Sequence, residues 1–398
     1  MWSGRHLVVG VSGGIASYKS CILVRRLAEA GVRVDVILTE GAAEFVRPLT
    51  FEALSGRPVL TSLWARDAAL QHVRLAQTAD LIIVAPATAH LLARVAQGLG
   101  DDLLTTSLLA RAGPTLFAPA MNDAMYANPA TQANLGLLRQ RGAAFVGPEV
   151  GALAEGPSDR PGRMSEPETI LAHAARMLTT PGPLRGKRVL VTAGPTREPI
   201  DPVRVVTNRS SGRMGYRLAE AAWERGAAVT LISGPVDLAA PVGVDVVRVE
   251  STAQMEAAVR AALPGADVLI MAAAPADYRP ADPATAKRPR QDGATTISME
   301  PTGDILSGSV PLRKPGSVIV GFALETGDAV AKGKAKLARK QLDLIVVNDA
   351  LEPGAGFEVD TNRVVLVDRQ GSTSEVPLAS KRVVADAILD AIEARLAS

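Results

Sequence analysis

LTTPGPLRGKRVLVTAGPT, residues 178–196, divides the chain. Its Pro-Gly-Pro breaks both helix and strand, and the apolar run behind it, RVLVT, ends in a Gly-Pro turn. A fresh strand after a breaker reads as the start of a second α/β unit. On the N-terminal side one such unit has already run its course. HLVVGV (6–11) is an apolar strand leading into Ser12-Gly13-Gly14, and a helix through Tyr18, Ile22, Leu23 and Leu27 stops at Gly31. VRVDVILT, DLIIVAP and PTLFAPAM are further strands, and EPETILAHAARML is one more helix. On the C-terminal side the pattern restarts with helix 213–225, strand AVTLIS, helix 252–262 and strand DVLIMAAA. After an irregular polar stretch, 275–304, come strand SVIVGFA, a Lys-rich helix at 328–340, strand DLIVVND and a closing strand RVVLV. Strands alternating with helices imply βαβ units and parallel sheets covered on both faces. The expectation is two doubly wound, Rossmann-like α/β domains, 1–178 and 187–398, joined by a linker at 179–186.

The chain has 398 residues, enough for two domains, and is 47% hydrophobic but only 3% aromatic, so the cores should be aliphatic. A net charge of +2, with no basic block among aromatics, speaks against a nucleic-acid partner. No apolar run is long enough to span a membrane, and the first residues already read as strand and turn, so a cytoplasmic protein without a membrane partner is expected. The single cysteine, Cys21, excludes an intramolecular disulfide and a cysteine-rich zinc site. His6, His72, His90 and His173 are scattered without metal-ligand spacing.

Several residues sit where an open α/β sheet places its ligands, at the carboxyl ends of strands. Ser12-Gly13-Gly14 lets a backbone approach an anion at a helix N-terminus, or simply packs tightly. Its spacing does not make the dinucleotide fingerprint, and Thr39, not an acid, ends the second strand; a mononucleotide fits better than NAD. Pro86-Ala87-Thr88 follows DLIIVA, where Thr88 serves as ligand contact or helix cap. Asp101-Asp102 reads as an N-cap in preference to a metal site, lone His72 as structural or solvated, and Asn122 as a cap or turn residue.

Taken together, GGIASYK, LT–AA–FV–PLTF–ALSG, H-V-x-L–ADLIIVAPATA, G–DDLLTT and P-x-MN-x-x-M resemble the flavin-dependent cysteine decarboxylases over about residues 5–178. The resemblance implies a flavodoxin-like domain binding FMN through Ser12, Gly13, Thr39, Pro86–Thr88 (with Ala87 between) and Ser107. It also implies His72 as catalytic base on the thiol, Asn122 as the group holding the substrate carboxylate, and trimers in which His and Asn meet at subunit interfaces. The chemistry needs such a set. Loss of CO₂ from a cysteine carboxylate leaves a carbanion with no sink, unless a flavin first takes a hydride from the thiol-bearing carbon.

In the second half, Asn208, Ser210, Ser211 and Gly212 precede a helix starting near Arg213 and suit a phosphate or carboxylate, or form an ordinary cap. AAAPADYRPADPATAKRPR places Asp277 ten residues before Lys287, on solvated surface or on a lid carrying a lysine to a triphosphate. With GFALET (321–326) and KLARKQLDLIVVNDA (336–350), the set resembles bacterial CTP-dependent phosphopantothenate–cysteine ligases over about 186–396. That implies Asn208 at an acyl-cytidylate, Asp277 and Phe322 in the nucleotide site, Lys287 as catalytic lysine, and Mg²⁺ with CTP as co-substrate. Two features depart from the family: Lys287 stands in Lys-Arg-Pro-Arg, and Thr302-Gly303-Asp304 replaces Asn-Pro-Asp.

GALAEGPSDRPGRM, 151–164, matches the decarboxylase flap at Leu153-Ala154 and Gly162-Arg163-Met164 but lacks its acid cysteine. Counted from the left that position is Glu155, and from the right Gly156. Either Glu155 supplies the final proton or it is a solvated loop residue. The leading reading is a bifunctional enzyme of coenzyme A biosynthesis. An FMN-binding scaffold beside an active ligase is the alternative, and a nicotinamide dehydrogenase is disfavoured by the missing fingerprint.

Overall fold

The computed structural model describes residues 2, 4–64, 70–289, 296–349, 356 and 359–397. The chain folds as two compact units, Met1–Thr179 and Thr180–Ser398. Part of the expected linker is built into the second unit. Leu184 is fully buried, its N–H reaches Glu393 Oε1 at 3.4 Å, and Gly186 N–H donates to Gly226 O at 3.1 Å. An apolar side chain followed by a paired backbone leaves water, whatever the Pro-Gly-Pro before it does.

In the first unit, β1 (His6–Val11), β2 (Arg33–Leu38), β3 (Leu81–Ala87), β4 (Thr115–Pro119) and β5 (Ala144–Phe145) form one parallel sheet in the order β2-β1-β3-β4-β5. β1 and β3 are buried along their whole length, as strands covered on both faces must be. Helix Ser17–Glu29 buries Ser20, Leu23, Val24 and Leu27 against the sheet. Tyr18 and Ile22, expected on that inner stripe, are instead 55% and 42% exposed, because they fall a half-turn away from Leu23 and Leu27. A short antiparallel pair, β6 (Glu149–Val150) with β7 (Pro161–Arg163), frames the 151–164 segment.

A polar cluster around Asp35 ties the opening strands together. Asp35 on β2 takes a 2.8 Å bond with His6 Nε2 and a 2.7 Å bond from Arg57 Nε. Burial pushes its pKa up, but the bonds from His6 and Arg57 outweigh that and hold it at about 2, below its ordinary 3.8. Ionised Asp35 therefore favours folding at all pH above about 4, and this contribution fades as pH falls toward 2. Asp35→Asn is expected to lower stability by about 2 kcal/mol near neutrality. In thermal unfolding of the full chain, the gap from wild type should narrow steadily below pH 4.

In the second unit the strands are β8 (Arg188–Ala193), β9 (Arg197–Pro199), β10 (Val205–Thr207), β11 (Ala228–Ser233), β12 (Asp245–Arg248) and β13 (Val268–Met271). They continue as β14 (Tyr278–Pro280), β15 (Met299–Pro301), β16 (Val318–Glu325), β17 (Leu344–Asp349), β18 (Thr361–Asp368) and β19 (Thr373–Ser380). Eight of them form a sheet in the order β12-β11-β8-β13-β16-β17-β18-β19, parallel as far as β17 and antiparallel beyond. The stretch expected to be irregular, 275–304, contains the antiparallel pair β14–β15. Beyond the expected closing strand the structure adds β19 and helix Lys381–Leu396, whose Val384, Ile388, Leu389 and Ile392 are buried at helical spacing. In both units strand order reverses beside the first strand, at β1/β3 and β8/β13, and a crevice opens there.

Candidate active sites

The first crevice is a cavity of about 1000 Å³. Ser12 staples its floor: the hydroxyl donates to Pro86 O at 2.8 Å and accepts Thr88 N–H at 3.1 Å. Gly13 makes the closest approach. A Cβ there would stand 2.6 Å from the carbonyl carbon of Gly41, in the short helix that Thr39 caps. Thr88 caps the next helix by accepting Leu91 N–H, while Asp102 forms a capping box with Thr105. Ser12, Gly13, Thr39 and Thr88 all line the cavity. Pro86 and Ala87 do not, since they finish a fully buried strand. Ser107 does not either, because it is fully buried and its hydroxyl is turned back to Leu103 O at 2.7 Å.

Asn122, Ala152–Glu155 and Gly162–Met164 also line this cavity. Asn122 caps helix Asp123–Ala127, its Oδ1 accepting Ala124 N–H at 2.8 Å and Met125 N–H at 3.4 Å. That fixes the amide and turns Nδ2 outward, where it donates to Glu155 Oε1. Of the two registers left open by the sequence, the side chain at 155 faces the site; Gly156 only pairs its backbone with Leu153. The segment is anchored on its far side. Ser158 Oγ donates to Asp123 Oδ2 at 2.6 Å, and Arg160 Nε lies 3.6 Å from the same oxygen. The Ser158 hydroxyl first, and Arg160 after it, hold Asp123 below the usual carboxylate range. Lys19, buried beneath, donates to Met164 O at 3.0 Å and Glu166 Oε1 at 2.9 Å. His72 lies half-buried on helix Gln71–Thr78 and is not in this cavity wall.

The second crevice encloses about 480 Å³. Asn208, Ser210, Ser211, Gly212, Asp277 and Phe322, expected from sequence to share a site, all line it. Asn208 Nδ2 bridges to Ala274 O at 3.1 Å and Pro275 O at 3.0 Å, so it sets the loop after β13. A buried hydroxyl chain supports that loop: Thr196 Oγ1 and Thr252 Oγ1 meet at 2.8 Å, and Thr196 accepts Ala276 N–H at 2.9 Å. Lys287 is not in the wall. It is exposed, and its loop is tied to the Asp201 turn through Arg288 N–H to Asp201 Oδ2 at 3.2 Å.

Other cations occupy the place expected of it. Lys336 donates to Phe322 O at 2.9 Å and Lys340 to Asp304 Oδ1 at 3.0 Å, while Lys381 lines the same wall. Burial, then the charge of Lys340, pulls Lys336 below the usual lysine range; burial, then Arg213, does the same to Lys381. Cations so placed favour a polyanion. The i, i+4 spacing of Lys336 and Lys340 was the available signal, since it puts both on one helix face. Among the described residues no group of three His, Cys, Asp or Glu could hold a metal, and no helix is long and apolar enough to cross a membrane.

Residues 1–179 match the Flavoprotein family, and residues 184–396 match the DNA/pantothenate metabolism flavoprotein C-terminal domain. The chain is 50% identical to the coenzyme A biosynthesis bifunctional protein CoaBC of Mycobacterium tuberculosis, over 99% of this chain and 97% of that protein. The chain belongs to the bifunctional coenzyme A biosynthesis family. The protein of the same name from Bacillus subtilis is 46% identical, over 99% of this chain and 98% of its own. A member of this family is a phosphopantothenate–cysteine ligase fused to a phosphopantothenoylcysteine decarboxylase, and the scaffold alternative is not favoured.

Proposed function

We propose that the second unit joins 4′-phosphopantothenate to L-cysteine at the expense of CTP, and that the first unit, with FMN, decarboxylates the product to 4′-phosphopantetheine. The observation that carries this is the convergence of Ser12, Gly13, Thr39, Thr88, Asn122 and Glu155 on one crevice and of Asn208, Ser210–Gly212, Asp277 and Phe322 on the other.

In the second unit, Lys336 and Lys340, with the N–H groups and hydroxyls of Ser210–Gly212, meet the phosphates of the nucleotide. Asp277 and Phe322 flank it, and Asn208 orients the acid for attack on the α-phosphorus, which expels pyrophosphate. The cysteine amine then takes the acyl group and CMP leaves. Among the described residues two carboxylates, Asp277 and Asp304, line this wall, and Mg²⁺ would arrive on the phosphates of the nucleotide. Lys287 reaches the phosphates only by movement of its exposed loop.

In the first unit the fit to FMN rests on the Gly13 cradle, which a single Cβ would fill, and on the strand-order reversal beside it. When bound, the flavin would take two electrons from the thiol-bearing carbon and give them back after CO₂ has left, so that the net change is CO₂ lost and one proton gained. Ser12, Gly13, Thr39 and Thr88 hold it. Asn122 donates to the substrate carboxylate without opposing its departure by a charge. Glu155 returns a proton to the carbon that loses CO₂. His72 acts as thiol base in the cavity of a neighbouring copy of a trimer, since it stands outside its own chain's cavity wall.

The purified holoenzyme, given phosphopantothenate, cysteine and CTP, should form 4′-phosphopantetheine, CMP, pyrophosphate and CO₂, read by mass. Accumulation of the amide alone would leave only the ligase assignment standing. CTP consumption without amide would remove that as well.

A further inference from the structure

We infer that Glu155 is a resident competitor for the substrate carboxylate, seated on the Asn122 amide until the substrate displaces it. The inference rests on the assignment of Asn122 to that carboxylate. Both acceptor bonds of the Asn122 carbonyl are committed to the helix it caps, so Nδ2 is the group left to meet a ligand. In the structure a carboxylate already sits on it, and it belongs to the lid. The amide has two N–H groups, but a carboxylate on each would set two like charges around one nitrogen.

The lid is anchored away from this point. Ser158 and Arg160 remain on Asp123, and Gly162 packs so closely that a Cβ would lie 2.6 Å from Met121 O. The tip carrying Glu155 is held by the Leu153–Gly156 backbone pair and, through the Glu155 side chain, by Asn122. An arriving carboxylate therefore lifts the tip without releasing the lid. Once CO₂ has left, the competitor is gone and Glu155 returns to Asn122, beside the carbon that has just lost its carboxylate. As a carboxylate it carries no proton of its own, so it delivers one there only after taking up the proton that the substrate thiol has released. A neutral cysteine thiol at this position could not impose that order, because it carries no charge to exchange.

The test uses flavin-loaded full-length protein and two unreactive ligands: phosphopantothenoylserine, in which a hydroxyl replaces the thiol, and its decarboxylated counterpart. Binding is read from the flavin absorbance. Glu155→Gln and Glu155→Ala are each expected to bind the carboxylate ligand about tenfold more tightly than wild type, with the decarboxylated ligand unchanged. Unchanged or weaker carboxylate binding in both variants would overturn the inference, as would equal tightening of both ligands. Asn122→Ser, which keeps a helix cap but removes the amide, should lose the preference for the carboxylate ligand. If Asn122→Ser keeps that preference, the assignment of Asn122 falls and the inference with it. If it loses the preference while the Glu155 variants behave as wild type, only the competition is overturned.

Discussion

Asn122→Asp should stop decarboxylation while amide formation proceeds at the wild-type rate. The substitution is nearly isosteric, and aspartate caps a helix as well as asparagine does, so the bonds from Ala124 and Met125 survive. What changes is the outward-facing atom. A donor becomes a second negative charge facing both the substrate carboxylate and Glu155. Two such charges about 4 Å apart in a partly screened site repel by about 4 kcal/mol, which is roughly a 10³-fold loss in kcat/KM. Mass analysis of a complete reaction should then show phosphopantothenoylcysteine accumulating with stoichiometric CMP. Flavin content should match wild type, because the Ser12–Gly13 cradle and the helix cap at Asn122 are both left intact. Normal phosphopantetheine output would remove Asn122 from the decarboxylase machinery.

The complementary result is expected of Lys336→Met. Lys336 is held in the second cavity by Phe322 O, and its charge is disfavoured there by burial and by Lys340. A nucleotide triphosphate relieves that penalty, so the cation is worth more to the complex than to the empty protein. Methionine keeps the length and apolar stem of the side chain but supplies no charge. Ligase kcat/KM for CTP should fall roughly 10²-fold or more. Decarboxylation of supplied phosphopantothenoylcysteine should be unaltered. A pH profile gives a second readout: with its pKa lowered in the free enzyme, Lys336 loses its proton at lower pH than an ordinary lysine, and nucleotide binding should weaken correspondingly early as pH rises. The variant should lack that early limb. Loss of both activities together would point to a folding defect instead.

Much of this arrangement was readable in the residues. The apolar strands announced themselves by length and by the breakers around them. The turn after β1 carried the small residues that a close backbone approach demands, and Gly13 lines the first cavity, as Gly212 ahead of helix Arg213–Glu224 lines the second. Caps at Thr88, Asp102 and Asn122 also followed from local chemistry, since the partners of an N-cap are always its own next residues. Ser107 shows the limit of motif reading: its neighbours mark a site, but its hydroxyl satisfies its own helix. Lys287 and His72 show another. Both stand in motifs, yet neither lines the cavity of its own unit.

By itself the sequence determined the division into two α/β units, the strand ends where ligands belong, and the loss of the flap cysteine, because each depends on residue type and spacing along the chain. Only the tertiary structure decided which charged groups meet. It turned Glu155 onto Asn122 across 33 positions of sequence and brought Lys340 to Asp304 across 36. Those pairings depend on which loops and helix ends the assembled strands bring together, a property of the whole sheet that no local pattern carries.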